Sequence, residues 1–178
     1  MEIQAAQREV RSVFLGGSVG QAVSGIIWLI SSALSTWAGI RYGILALVLG
    51  GMLIFPLTTL SLKILGHPAG LPRENPFNSL AQQIAFIVPL LMPLVGAAAL
   101  YKLNWFYPAF MLIVGAHYLP FVTLYGMRPY AVLSAVLIVA GLLIGIYLPP
   151  IFTLGGWFTA GVLLLFALVV WIVGFHKK

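Results

Sequence analysis

The chain has 178 residues, 62% of them hydrophobic and only 7% charged, with a formal net charge of +6. Soluble domains hold about 25% charged residues, so an ordinary aqueous globule is excluded and a membrane protein is indicated. The nine Lys and Arg are scattered, which argues against a nucleic-acid surface, and the lack of Cys removes disulfides, thiol nucleophiles and Cys-held metal or iron–sulfur sites.

Residues 1–11 are polar and mildly amphipathic, with Ile3, Val10 and Phe14 at roughly helical spacing. They lack the short apolar run and small-residue cleavage site of a secretory signal, and predict a short interfacial helix leading directly into the first span. Six apolar segments follow, at 12–37, 42–65, 78–101, 105–125, 130–148 and 151–175. Each is long enough to cross a hydrocarbon core of ~30 Å at a rise of ~1.5 Å per residue. An open sheet is ruled out, because lipid cannot satisfy its unpaired backbone groups. The predicted fold is therefore an all-α polytopic membrane helix bundle with six transmembrane helices, occupying 1–178 as a single transmembrane domain.

The loops carry helix punctuation. Gly66 before Pro68 suits a helix stop, Asn75-Pro76 an N-cap with proline at the first helical position, and Arg128-Pro129 a similar start; Pro149-Pro150 leaves almost no loop between spans five and six. Arg8, Arg11, Lys63, Arg73, Arg128, Lys177 and Lys178 fall on one side of this topology, against Arg41 and Lys102 on the other. That asymmetry places both termini in the cytoplasm, and Trp37, Tyr42, Tyr101, Trp105, Tyr107 and Tyr147 mark the opposite interface. Gly51, Pro56, Thr59 and Leu60 of span two echo Gly115, Pro120, Thr123 and Leu124 of span four at the same spacing. A repeated hairpin is one reading; chance likeness between apolar helices is the other.

His117 is the single mid-segment ionisable side chain. It lies nine residues before Gly126, about 14 Å along a helix, near mid-membrane. Intramembrane ionisable groups are functional candidates by default, the alternative being a packing histidine satisfied by a neighbouring helix. Pro120 cannot donate to the Ala116 carbonyl, so an acceptor is expected to be free beside His117; Pro56, Pro89 and Pro93 weaken their helices likewise. Gln21, Thr58, Thr59, Gln82 and Gln83 share the middle-to-inner depth. With His117 and Tyr118 they are the candidate ligand-binding residues of a polar pocket, against the plain reading of interhelical hydrogen bonds worth about 0.6 kcal/mol each. Gly16 and Gly20 on span one and Gly141 and Gly145 on span five form small-residue faces for close helix packing, within the chain or in a homo-oligomer.

No span contains an acid, so no Ser/His/Asp set can form, and no His-Glu-x-x-His, Walker or dinucleotide motif occurs. His67 and His176 sit at the inner surface, leaving His117 without a second metal ligand. No enzyme activity, cofactor or metal is expected.

The stretch Gly115-Ala116-His117-Tyr118-Leu119-Pro120-Phe121 with Leu124-Tyr125, together with Asn75-Pro76 and Leu80, resembles an uncharacterised family of small bacterial multi-span integral membrane proteins. The likeness extends over most of the chain. It implies a multi-pass protein of the bacterial cytoplasmic (inner) membrane and carries no activity with it. Two functions compete: a transporter or channel for a small neutral, apolar or anionic solute, and a non-transport interaction, sensor or assembly protein. An intramembrane enzyme using His117 ranks below both. Membrane lipids are the remaining expected partners.

Overall fold

The structure is a computed structural model that describes residues 2–175. Met1, His176, Lys177 and Lys178 lie outside the described residues, so two of the basic residues used for orientation have no structural counterpart here. The chain is helical and, among the described residues, forms no strand. Helix α1 spans Ile3–Phe14, α2 Ser18–Trp37, α3 Ile40–Ile64, α4 Asn78–Tyr101, α5 Phe106–Tyr118, α6 Phe121–Tyr125, α7 Pro129–Ile146 and α8 Leu154–Phe175. Among the described residues six helical segments are long and apolar enough to cross a membrane, with α5 and α6 together in the fourth. The surface agrees: Phe55, Leu90, Leu100, Ile146 and Leu165 are large, apolar and exposed. Exposed apolar side chains on so many helices suit contact with lipid or with another membrane protein. The protein is a multi-pass membrane protein.

Two boundaries depart from the sequence reading. The N-terminal helix does not run directly into the first span. Leu15, Gly16 and Gly17 have φ of 51°, 63° and 86°, so the chain turns through three left-handed residues before α2 begins at Ser18. Two adjacent glycines make this turn accessible, and Leu15 adopts a conformation that costs a β-carbon-bearing residue about 1–2 kcal/mol. At the other end, Pro149-Pro150 do not join α7 and α8 tightly: α7 stops at Ile146 and α8 starts at Leu154. A residue before proline is pushed out of the helical region, which unwinds Leu148 as well.

Prolines within the spans act unequally. Helices α3 and α4 run on through Pro56, Pro89 and Pro93. Pro120 alone divides its span, separating α5 from α6. Its expected consequence is not observed, because the Leu119 amide bends in to donate to the Ala116 carbonyl at 3.2 Å. Tightening to an i→i+3 bond thus satisfies the acceptor that proline abandons. Pro129 opens α7 as expected. Asn75 caps a turn rather than the helix itself: its Oδ1 accepts from the Phe77 amide at 2.9 Å, three residues before α4 is established.

The crossing helices alternate in direction and fall into two groups. Helix α2 packs against both α3 and α8, while α5 packs against both α4 and α7; α8 also touches α5 and α7. Glycines let these backbones approach. A Cβ at Gly25 would sit 2.8 Å from Leu164, at Gly50 2.7 Å from Ile27, and at Gly115 2.7 Å from Ile138. Gly51, the span-two counterpart of Gly115 in the sequence echo, meets nothing within 4 Å, so the two positions do not pack alike. Gly16, Gly20, Gly141 and Gly145 face Val170, Thr58, Met111 and Pro108 of the same chain. An oligomer formed through those four residues would have to displace these contacts.

Helix α1 buries Ala6, Val10 and Val13, which recur at helical spacing on one face. That face packs on α6. Gln7 Nε2 donates to the Thr123 carbonyl at 2.7 Å, the Arg11 guanidinium donates to the Tyr125 carbonyl, and Asn75 Nδ2 donates to the Ala6 carbonyl and to Glu9 Oε2. These bonds strap α1 against one end of the bundle.

Candidate functional site

Where the two helix groups meet, α2 presents an unusual seam. Gly17, Gln21, Ser24, Trp28, Ser31 and Ser35 alternate steps of four and three residues, the spacing that keeps one helix face on a partner. The five residues of this set with side chains are all buried. Apolar positions would be expected there; instead all but Trp28 are small or polar.

At the α1 end the seam meets tyrosines. Tyr130 of α7 is fully buried, and its hydroxyl donates to the Gly16 carbonyl at 2.6 Å. The Gln21 side chain reaches the Tyr118 and Tyr130 hydroxyls, and Ser24 reaches Tyr118. Rings enclose this group: Tyr125 stacks on Tyr130 at 5.3 Å, Phe121 lies 5.3 Å from Tyr130, and Phe166 meets Tyr130 edge-on at 5.0 Å. Gln21 Oε1 is buried without a hydrogen-bond partner in the chain, as is Thr58 Oγ1 on the neighbouring α3. Unpaired buried polar atoms of this kind are uncommon and costly.

At the far end Tyr107 of α5 is the hub. Ser31 Oγ donates its only proton to the Gly43 carbonyl at 2.8 Å, so Tyr107 must donate to Ser31 across 2.6 Å. Ser35 then donates to Tyr107 at 3.0 Å. Between the two polar ends Trp28 packs against Phe110 at 5.2 Å and Tyr107 at 5.8 Å between ring centroids. The seam is therefore polar, then aromatic, then polar again.

Of the residues selected from sequence, the structure brings Gln21 and Tyr118 together. His117 lies beside them, its ring 5.5 Å from Tyr118 and 5.1 Å from Phe121. Its side chain engages the backbone of Ile84 on α4, and Nδ1 has no partner in the chain. Thr58 and Thr59 are half-buried on α3, with Thr58 against Gly20. Gln82 and Gln83 are exposed, and Gln83 donates to Ser79 on its own helix at 3.2 Å. Their depth was shared with His117 but their direction is not, because successive helix residues turn by about 100° and it is Ile84 that faces α5. The sequence reading missed Tyr107, Tyr125 and Tyr130 as partners of the α2 seam. The four-and-three spacing of its small and polar residues was the available signal.

Chemically the seam offers hydroxyl, amide and indole groups, and the three acids of the chain lie elsewhere, on and beside α1 (Glu2, Glu9) and in the loop before α4 (Glu74). Such groups can solvate an uncharged hydrogen-bonding molecule. No three His, Asp or Glu side chains converge among the described residues, so no metal-holding set can be named there.

A family model described as "Family of unknown function (DUF7010)" matches residues 3–173. The chain belongs to the DUF7010 family. The match runs from the start of α1 to within two residues of the end of α8, so the α1 strap and the α2 seam both lie within the DUF7010 region. Neither a curated protein nor a solved structure matches the chain.

Proposed function

We propose that this DUF7010 protein moves a small uncharged, hydrogen-bonding solute across the membrane along the α2 seam. The supporting observation is the buried run Gln21, Ser24, Trp28, Ser31, Ser35 at the junction of two helix groups, with orphan acceptor Gln21 Oε1 at one end. Membrane bundles place substrate sites at such junctions, and rocking one group against the other exposes the site to alternate sides. Trp28 with Phe110 forms the closed gate between the two polar halves. Solutes bearing cations are disfavoured, since no carboxylate lines the path. The membrane is the bacterial cytoplasmic membrane with both termini inside, a reading supported by the basic residues at the α1 end of the bundle.

Stopped-flow light scattering on proteoliposomes tests this with glycerol and urea as probes and nitrate as the charged comparison. Glycerol or urea should enter faster than into empty liposomes, and Gln21→Leu or Ser24→Leu should remove the difference. Equal rates with and without protein would refute it.

A non-transport interaction role is favoured by one observation. Gly96 on α4 is exposed with nothing within 4 Å of a built Cβ, and α4 packs mainly against α5. Small residues open on a helix face suit a partner helix. A membrane partner that copurifies with the wild type but not with Gly96→Leu, in protein that shows no flux, would select this reading.

A further inference from the structure

Lys102 follows α4 at the end of the bundle away from α1, and among the described residues no Asp or Glu stands at that end to pair with its ammonium. Glu2, Glu9 and Glu74 all belong to the α1 end, and α4 alone separates Lys102 from that end by about 36 Å. Its neighbourhood is nonetheless shaped. The Trp105 indole donates to the Gly145 carbonyl at 3.0 Å, pinning the loop to the end of α7, and Lys102 Nζ stands 5.6 Å from the Trp105 ring. Lys102, Asn104 and Trp105, facing Pro149 and Pro150, line a cleft of about 80 Å³.

This cleft opens onto a second feature. An apolar groove of about 530 Å³ runs between α7 and α8, lined by Val139, Leu143, Leu154 and Phe158 among others. Cleft and groove share Ile144 and Leu148. From Ala135 to the end of α7 at Ile146 the groove follows the helix for about 16 Å, comparable to one leaflet of a ~30 Å hydrocarbon core, and Leu148 continues it beyond the helix. Exposed Tyr101 and Tyr147 flank the same end, at the level where aromatic side chains meet headgroups. A cationic, amide-bearing mouth on an open apolar groove matches an amphiphile with an anionic head and a long chain to lie along the groove. A partner helix would match the ammonium only by bringing an acid of its own to that level, whereas a phospholipid carries anion and chain together.

We propose that one phospholipid is held here, its phosphate at Lys102 and Asn104 and one acyl chain lying in the α7–α8 groove. The site is separate from the α2 seam and does not depend on transport. Native mass spectrometry of the purified protein, with dioleoyl phosphatidylglycerol as the probe, tests it. Dioleoylglycerol, which lacks the phosphate, and glycerol 3-phosphate, which lacks the chains, separate the two contributions. One phosphatidylglycerol per chain should be retained, and neither comparison molecule should match it. Lys102→Ala should weaken retention about fivefold, as expected for one surface lysine near an anionic lipid, and Lys102→Glu further. Val139→Trp should exclude the chain by filling the groove. Because Lys102 is exposed, its variants remain folded and the test stands even if Val139→Trp does not fold. Equal retention of dioleoylglycerol, no effect of Lys102→Glu, or a second copy of the protein covering the groove in place of lipid would each overturn the proposal.

Discussion

Gly17→Ala is the sharpest perturbation available. Its φ is +86°, and a built Cβ would lie 2.3 Å from the Tyr130 hydroxyl, 3.1 Å from Gln21 Oε1 and 3.2 Å from Tyr125 Cζ. The left-handed conformation alone costs alanine about 1–2 kcal/mol. The hydroxyl must also retreat, which breaks its bond to the Gly16 carbonyl and leaves a buried acceptor unpaired, a further cost of about 1–3 kcal/mol. The expected loss is thus about 2–5 kcal/mol. Gly51→Ala is the control, because Gly51 meets nothing within 4 Å and sits inside a helix where alanine is favoured. Unfolding in mixed micelles of mild detergent and sodium dodecyl sulfate, followed by tryptophan fluorescence, measures both. Tyr130→Phe removes the clashing oxygen, so Gly17→Ala should cost less in that background than in the wild type. A Gly17→Ala protein as stable as Gly51→Ala, or additive single and double variants, would refute the close approach of α2 and α7 at this turn.

Other consequences follow from the same contacts. Asn75→Ala removes the side-chain bonds to Ala6, Glu9 and Phe77, so limited trypsin digestion at Arg8 and Arg11 in detergent should accelerate while the spans stay intact. Tyr107→Phe should lower stability by about 1–3 kcal/mol in the same micelle titration, since Ser35 loses its acceptor and Ser31 its donor. Gly20→Leu should destabilise by about 1–3 kcal/mol by forcing α2 off Thr58, whereas Gly96→Leu, placed in open surroundings, should leave stability unchanged. His117→Leu should cost about 0.6 kcal/mol, the average for an interhelical polar contact, if the backbone of Ile84 is its main partner.

The helices were legible because hydropathy and length determine what can cross a bilayer, and the third span, Asn78–Tyr101, starts and ends where the sequence places it. The turn at Leu15-Gly16-Gly17 was not. Glycine pairs occur in straight transmembrane helices as well as in breaks, and it is the Tyr130 hydroxyl, 114 positions away, that holds this one. Depth was readable for the site, whereas direction was only partly so. Counting residues places Gln82 and Gln83 level with His117, yet the phase of α4 turns them outward and presents Ile84 to α5. On α2 the phase was available: Gln21, Ser24, Ser31 and Ser35 recur by fours and threes. Small residues at that spacing also serve plain helix packing, and only the tyrosines facing them from α5 and α7 distinguish a polar seam from an ordinary one.

Cysteine accessibility along α2 tests the central claim most directly, and the chain contains no cysteine to confuse the result. Single cysteines at Gln21, Ser24, Ser31 and Ser35 sample the seam, while Ile26, Leu29 and Ile30 sample the exposed apolar face of the same helix. A water-soluble, membrane-impermeant thiosulfonate is applied to each side of proteoliposomes in turn. The account predicts that the seam cysteines react, Gln21→Cys and Ser24→Cys from the α1 side and Ser31→Cys and Ser35→Cys from the opposite side. Cysteines at Ile26, Leu29 and Ile30 should stay inert in lipid. Seam cysteines as unreactive as those three, from both sides, would contradict a solute path along α2.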